Sequence, residues 1–144
     1  MNIQEFEFDT LPDAPFVVFC SKRRSGKSVA IKHLAYSYFI KKEKYRRIYV
    51  CCPTAKLTKD YNFIQDEYIY DEFTQEFLDD LIEVQKVDIT ADPKGKNNCL
   101  LILDDIANST DRATIDLLGK LGAIGRHLKI AVLLATQNFK KELS

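Results

Sequence analysis

Eight consecutive residues near the amino terminus have the side chains and the spacing that phosphate binding requires. Residues 21–28 read Ser-Lys-Arg-Arg-Ser-Gly-Lys-Ser and match the pattern G-x-x-x-x-G-K-[ST] except at its first position. Gly26 allows a tight backbone turn that points N–H groups at phosphate oxygens, and Lys27 reaches the β- and γ-phosphates. The Ser28 hydroxyl can ligate Mg²⁺. The stretch therefore predicts a nucleotide-binding loop.

The candidate nucleotide-binding residues extend over the whole loop. They are Ser21, Arg24, Ser25, Gly26, Lys27, Ser28 and Val29. Ser21 replaces the usual glycine, and its Cβ restricts positive φ, which we interpret as variation of the loop. The alternative is a Gly-Lys-Ser that begins a helix by chance. An apolar run at 16–20 and helical apolar spacing after residue 30 favour the phosphate-loop interpretation.

Two carboxylates follow a strongly apolar run and form the second candidate site. Asp104 and Asp105 come directly after Leu-Leu-Ile-Leu at 100–103. Asp104 is placed to hold Mg²⁺, through water or together with Ser28. Asp105 lies on the opposite side of the backbone, where it can polarise the water that attacks the γ-phosphate. The alternative is a pair of acids that makes a turn or caps a helix.

A third group of candidates surrounds the last apolar run. Gln137 follows it in Ala-Thr-Gln and can bridge the γ-phosphate and its water, or else act as a simple hydrogen-bonding residue at a strand end. Arg126 precedes the run, in Gly-Arg-His at 125–127. An arginine there can be offered to the nucleotide of a neighbouring subunit and stabilise the transferring phosphoryl group. An ordinary surface arginine is the alternative.

Apolar patterning predicts the elements that position these residues. Strands are predicted at 16–20, 48–52, 99–103 and 130–135. Helices are predicted from the end of the phosphate loop to about residue 42, over about 74–87, and to about residue 124 after a cap at Asn108 or Ser109. A lead-in strand and turn is predicted over 1–15, an irregular aromatic-rich segment over 57–72, and a polar turn segment over 88–98. Apolar strands that alternate with helices indicate an α/β fold with a parallel sheet covered on both faces. Ligand sites in such sheets lie at the carboxyl ends of the strands.

Composition narrows the function classes. The chain has 144 residues, which suits one domain, and its formal net charge is zero, so nucleic-acid contact would need a local patch or an assembled ring. No apolar run approaches the ~18–20 residues of a membrane span, and residues 1–6 lack the layout of a signal peptide. The four cysteines have no metal-ligand spacing and are interpreted as buried free thiols.

Together these motifs resemble a known group of proteins. Ser-Gly-Lys-Ser at 25–28, Leu-Leu-Ile-Leu-Asp-Asp at 100–105, and Gly-Arg-His-x-x-Ile followed by Ala-Thr-Gln resemble the FtsK–HerA superfamily of DNA-pumping ATPases. Within it, the chain is most similar to the poxvirus-type genome-packaging ATPases of large nucleo-cytoplasmic DNA viruses. Cys-Cys-Pro-Thr at 51–54, Tyr-Asp-Glu-Phe at 70–73 and the double aspartate support that branch.

The resemblance implies a fold and a set of site residues. It implies a P-loop NTPase of RecA/ASCE-like type, a three-layer sandwich with a mainly parallel sheet. We expect a single domain over 1–144, with a core over about 16–140 and a missing carboxyl-terminal part. Five residues match motif positions of the family: Lys27, Ser28, Asp104, Asp105 and Gln137. Arg126 matches the position of a proposed subunit-crossing arginine.

The resemblance also implies an activity, cofactors and partners. It implies ATP hydrolysis with Mg²⁺, coupled to translocation of double-stranded DNA into a preformed capsid without reading its sequence. The expected assembly is a homo-oligomeric ring that contacts capsid or portal vertex proteins. The expected location is the host cytoplasm at virus assembly sites, with the virion as a second location.

Two other classes of function stay open at this stage. The first is a nucleotide-binding module without turnover, which a truncated ATPase would be. The second is a P-loop kinase of small molecules or nucleotides, although Asp105 is present and no arginine-rich lid is evident. A GTPase would require an Asn-Lys-x-Asp motif after a late strand, and the sequence has none.

Overall fold

A computed structural model describes residues 14–20, 31–33, 35–36, 45–106 and 112–136, except for the side chains of Cys20 and Thr136. These residues contain a parallel sheet of five strands. The strands are β1 (Phe16–Cys20), β2 (Arg47–Cys51), β3 (Ile69–Tyr70), β4 (Cys99–Asp104) and β5 (Ile130–Thr136). The four strands predicted from apolar runs are confirmed to within one residue at each end. The predicted lead-in strand over 1–15 lies almost wholly outside the described residues.

The strand order is β1-β5-β4-β2-β3. The last strand of the chain, β5, therefore lies between the first strand and β4. Cys20 pairs with Thr136, and Asp104 pairs with Ala135. Because all strands run parallel, the carboxyl ends of β1, β5 and β4 lie side by side at one edge of the sheet, which we call the carboxyl edge.

Each face of the sheet carries its own hydrophobic core. On the first face, Leu100, Ile102 and Leu133 pack with Ile31 and Ala35 from the helical residues 31–33 and 35–36. On the second face, the sheet packs against the helices α2 (Gln75–Ala91) and α3 (Arg112–Ile124). Every residue of β4 is buried because both faces are covered, which explains why that strand reads as a continuous apolar run.

Helix α2 is longer than the sequence predicts. Thr74 caps its amino terminus by accepting a hydrogen bond of 3.0 Å from the Phe77 N–H, as a Thr at this position favours. The helix continues to Ala91, so the predicted turn over 88–98 is wrong for its first four residues. Asn97 donates its side-chain amide to the carbonyl oxygens of Asp88 (3.4 Å) and Asp92 (2.7 Å), which satisfies acceptors at the helix end.

The segment over 57–72 contains more regular structure than the predicted irregular region. A short helix, α1 (Ala55–Thr58), and a 3₁₀ turn (Asp66–Tyr68) precede β3. Strand β3 extends the sheet by pairing Val50 with Ile69 and Cys51 with Tyr70. A strand of two residues has no periodicity to detect. It forms because β2 pairs with it and because Ile69 packs into the core on the first face of the sheet.

The remaining helices agree with the prediction where they are described. Helix α3 ends at Ile124 as predicted, while its predicted start after Asn108 or Ser109 lies outside the described residues up to residue 111. Residues 31–33 and 35–36 are helical, within the helix predicted to reach about residue 42. No helix within the described ranges is long and apolar enough to cross a membrane.

Candidate active site

The candidate site is built at the carboxyl edge by the ends of three strands. Ser21 is the residue after the end of β1, and Gln137 is the residue after the end of β5. Because Cys20 pairs with Thr136, the residues directly before positions 21 and 137 are neighbours in adjacent strands. The other predicted loop residues (Arg24, Ser25, Gly26, Lys27, Ser28 and Val29), together with Ser21 and Gln137, lie outside the described residues.

Asp104 is the last residue of β4 and is buried, with only 3% of its surface exposed. Side chains alternate along a strand, so Asp104 lies on the same sheet face as Leu100 and Ile102. That is the face on which Ile31 and Ala35 pack, within the helix that the sequence predicts after the phosphate loop. The structure thus places Asp104 on the side of the sheet where the phosphate-loop helix is expected.

Tyr61 is a direct partner of Asp104 that the sequence analysis missed. Its hydroxyl donates a hydrogen bond of 2.8 Å to Asp104 Oδ2, and the tyrosine is 1% exposed. Burial, followed by the negative charge of Asp104 and this hydrogen bond, raises the pKa of Tyr61, so the hydroxyl stays protonated and able to donate. No local signal identifies Tyr61, because its partner lies 43 residues further along the chain.

The residues at this edge fit a divalent cation such as Mg²⁺. A carboxylate oxygen is the ligand type that Mg²⁺ prefers, and Mg²⁺ is commonly held by one or two carboxylates together with substrate phosphates. Asp104 supplies such a carboxylate at the end of a buried strand, on the face of Ile31 and Ala35. The second predicted ligand, Ser28, lies outside the described residues.

Asp105 differs from Asp104 in conformation and surroundings. Its φ of 62° places it in the left-handed region, which aspartate tolerates better than most residues. This turn ends β4 and brings partly exposed Asp105 to the wall of an open cleft of about 780 Å³. The cleft lies between the amino end of α2 and helix α3, on the second face of the sheet. The two acids therefore face different surroundings, as the sequence analysis expected.

The cleft beside Asp105 has an acidic lining. Asp71, Glu72 and Asp116 contribute carboxylates alongside Asp105, and Lys120 is the basic side chain among the described lining residues. Such a lining repels phosphate, so the cleft is a poor site for the triphosphate itself. Asp105 directly follows the last residue of β4, so it belongs both to the wall of this cleft and to the carboxyl edge.

A buried thiol lies close to both acids. Burial raises the pKa of Cys52, the charges of Asp104 and Asp105 raise it further, and contacts with Thr54 act in the opposite direction. Burial also raises the pKa of Cys51 and Cys99 to about 12. These three thiols are free and buried, as the sequence analysis expected, and stay protonated at neutral pH.

Arg126 lies away from the carboxyl edge. It is exposed, in the turn between α3 and β5, and so precedes the amino end of β5. Strand β5 has seven residues, and at ~3.3 Å per residue its two ends are about 20 Å apart. Arg126 therefore does not join Asp104 and Asp105 within one subunit, and a catalytic role would require a neighbouring subunit.

Comparison with known proteins identifies the family of this chain. The sequence profile described as "Poxvirus A32 protein" matches residues 3–142, nearly the whole chain. The chain belongs to the poxvirus A32 protein family. The resemblance to poxvirus-type packaging ATPases is thereby confirmed at the level of the family. No curated protein sequence matches the chain of this A32 family member.

Solved structures share the fold of this A32 family member. The genome packaging NTPase B204 from Sulfolobus turreted icosahedral virus 2, in complex with AMP, is 23% identical with a TM-score of 0.53. That match covers 88% of this chain and 67% of the B204 chain. The same NTPase in complex with ATP-gammaS is 22% identical with a TM-score of 0.48, over 88% of this chain and 66% of B204. The A32 family chain thus spans about two thirds of the B204 chain and has a P-loop NTPase-like α/β fold.

Proposed function

We propose that this protein is an ATP-hydrolysing subunit of a motor that translocates double-stranded DNA into a preformed viral capsid. The observation that carries the proposal is the position of β5 between β1 and β4. That order places the ends of β1 and β5 beside the buried carboxylate of Asp104, which supports a site that the predicted phosphate loop and Gln137 would complete. Membership of the poxvirus A32 protein family supports the viral setting.

In this proposal the loop residues bind the triphosphate, and the acids prepare the attack. Backbone N–H groups around Gly26 and the ammonium of Lys27 contact the phosphates. Ser28 and Asp104 would hold Mg²⁺, which would supply positive charge to offset that of the phosphates. Asp105 accepts a proton from the attacking water, and Gln137 orients that water. Ser21, Arg24, Ser25 and Val29 complete the nucleotide contacts.

Arg126 fits the proposal only across a subunit boundary. It lies about 20 Å from the carboxyl edge by the length of β5. A homo-oligomeric ring would bring the Arg126 of one subunit to the phosphates held by the next. Hydrolysis would then depend on assembly, and turnover per subunit would rise with protein concentration.

The proposed partners follow from the translocation activity. A ring that pumps DNA contacts the phosphate backbone and does not read bases, so binding should depend on salt and not on sequence. The zero net charge of the chain leaves this contact to a local patch or to the assembled ring. Capsid or portal vertex proteins are the other proposed partners. The host cytoplasm at assembly sites, and the virion, are the proposed locations.

Steady-state ATP hydrolysis with and without duplex DNA tests the proposal. It is measured at two protein concentrations, with Lys27→Ala as the control that removes the phosphate-binding ammonium. We expect turnover that duplex DNA stimulates, that rises more than proportionally with protein, and that Lys27→Ala abolishes.

Other outcomes identify the two competing functions. Nucleotide binding without turnover at either concentration, with or without DNA, would contradict the motor and support a nucleotide-binding module. Transfer of the γ-phosphate to a small acceptor in place of water would contradict it and support a P-loop kinase.

A further inference from the structure

The loop after α1 contacts both the helical residues 31–33 and the end of β4. We call residues 59–64 the bridging loop. It begins at Lys59, whose φ of 55° ends α1 in the left-handed conformation, and the Ile64 N–H donates 3.0 Å to the Tyr61 carbonyl. Within it, Asp60 and Tyr61 are consecutive, yet they contact different elements. Asp60 contacts the helical residues 31–33, and Tyr61 contacts the end of β4.

On the helix side, the contact is an ion pair supported by aromatic packing. Lys32 Nζ lies 2.9 Å from Asp60 Oδ1, and this contact, first among its causes, lowers the pKa of Asp60. Tyr36 packs edge-on against Phe63 with ring centroids 5.5 Å apart. Lys32 is four residues after Ser28 in the chain. The bridging loop is therefore fixed to the helix that the sequence predicts directly after the phosphate loop.

On the strand side, the contact is the buried hydrogen bond from Tyr61 to Asp104 Oδ2. Hydrogen bonds to a charged acceptor in a water-poor interior are stronger than exposed ones. This bond fixes the rotation of the carboxylate about its side-chain torsions. Partners of this kind around a metal ligand orient it, and their loss typically lowers metal affinity by 10- to 100-fold.

We propose that Tyr61 is a positioning residue for the divalent cation. Its hydroxyl, held by the bridging loop against helical residues 31–33 and 35–36, orients the Asp104 carboxylate toward the metal that accompanies the nucleotide. The inference rests on the proposed function, because it assigns Asp104 to that metal. Tyr61 touches neither the nucleotide nor the reacting atoms, and it acts through Asp104.

The test measures the contribution of the metal to nucleotide binding, without any turnover. The dissociation constant of a fluorescent, non-hydrolysable ATP analogue is determined in saturating Mg²⁺ and in EDTA. The constant in EDTA divided by the constant in Mg²⁺ is the ratio that reports the metal contribution. We expect Tyr61→Phe, which keeps the ring and removes the hydroxyl, to reduce that ratio roughly tenfold. Binding in EDTA should stay at the parent value.

Two control variants calibrate the experiment. Tyr49→Phe removes the hydroxyl of another buried tyrosine, whose ring packs against Phe77 on the second face of the sheet, and should leave the ratio unchanged. Asp104→Asn should bring the ratio close to one. If Asp104→Asn lowers the ratio and Tyr61→Phe stays within twofold of the parent, the positioning role is overturned and the proposed function stands. A parent chain that binds no nucleotide overturns both.

A variant at the solvent side of the loop keeps the inference testable if Tyr61→Phe does not fold. Asp60 is 37% exposed, so Asp60→Asn breaks the ion pair with Lys32 without opening the core. It should lower the ratio roughly threefold, as expected for a partly exposed pair that supports the loop indirectly. An unchanged ratio in Asp60→Asn, with its melting temperature intact, would contradict the role of the bridging loop.

Discussion

Buried polar groups have different roles at the carboxyl edge and at the opposite edge of the sheet, where the strands begin, which we call the amino edge. At the amino edge, Gln85 is 1% exposed and donates its amide to the carbonyl oxygens of Asn97 (3.0 Å) and Leu128 (2.8 Å). Lys129 donates 2.8 Å to the side-chain oxygen of Asn97. The amino edge thus links the end of α2, the start of β4 and the turn before β5 through a shared polar network.

At the carboxyl edge, the polar groups are the buried Asp104 and the partly exposed Asp105, and both belong to the proposed site. Asp104 is held by Tyr61, and Asp105 is turned by its left-handed conformation to the wall of an open cleft. The difference teaches that burial alone does not mark a site. Gln85 and Asp104 are both buried. The Gln85 amide joins backbone segments, whereas the Asp104 carboxylate ends a strand, at the edge where ligands bind in parallel sheets.

The largest effect that would sharpen this comparison is expected at Asp105. Asp105→Asn removes the carboxylate that we propose accepts the proton from the attacking water. We expect kcat for ATP hydrolysis to fall by about 100- to 1000-fold, in the range of general-base removal, with nucleotide affinity retained. Single-turnover hydrolysis and equilibrium nucleotide binding, measured on the same preparation, check the two parts.

A matched control exists in the same cleft. Asp116 also lines it, and its carboxylate is exposed and 3.6 Å from Arg112, one turn away on α3. Asp116→Asn should leave kcat within about twofold of the parent, because an exposed pair contributes little. Equal loss in both variants would mean that the cleft acids act through their summed charge. Parent-like turnover in Asp105→Asn would contradict its proposed role as the general base.

The next largest effect is a loss of stability at the amino edge. Gln85→Ala leaves the carbonyl oxygens of Asn97 and Leu128 without their donor and opens a small cavity. We expect the free energy of unfolding to fall by about 2–3 kcal/mol. Metal-dependent nucleotide affinity should be unchanged below the unfolding transition. Denaturant unfolding and nucleotide titration measure these two quantities.

The control for Gln85 lies on the same helix. Gln75 is exposed, and its amide contacts Asp79 at 2.7 Å, so Gln75→Ala should cost no more than about 0.5 kcal/mol. A Gln85→Ala variant that retains parent stability but loses nucleotide affinity would contradict the assignment of stability to the amino edge and of nucleotide binding to the carboxyl edge.

The smallest effect concerns pH and the bridging loop. The Lys32 contact lowers the pKa of Asp60, so its stabilisation is complete at neutral pH and is lost as pH falls through the lowered value. Because Asp60 is 37% exposed, we expect Asp60→Asn to cost about 0.5 kcal/mol at pH 7. That difference should vanish once the pH lies below the lowered pKa of Asp60. Unfolding curves of both proteins across this range measure it, and a difference that grows on acidification would be contrary to the expectation.

The sequence predicts the strands well because each buried strand is a continuous run of apolar residues. Strand β4 is covered on both faces, so its residues are apolar up to the aspartates. The same apolar run is enough to predict that Asp104 lies at the carboxyl edge. Helix α2 is predicted too short because Asp88 resembles a turn residue. The ion pair of Asp88 with Arg47 and the cap from Asn97 explain why the helix continues. Pro93, after the helix end, is the local signal that marks the true boundary.

Other features depend on contacts that no local pattern encodes. The bond from Tyr61 to Asp104 joins residues 43 positions apart, and β3 exists because Val50 and Cys51 offer it an edge. The order β1-β5-β4 likewise follows from packing of the whole sheet. Apolar runs indicate which segments are strands, but they do not say which strands are neighbours.

The most direct test of the division between the two edges is hydrogen–deuterium exchange with and without Mg²⁺ and a non-hydrolysable ATP analogue. We expect the nucleotide to slow exchange in peptides that follow Cys20, Asp104 and Thr136, where the three strands end. Peptides over 92–98 and 125–129, at the amino edge, should be unaffected. Protection concentrated at the amino edge, with the carboxyl edge unchanged, would contradict the placement of the nucleotide site.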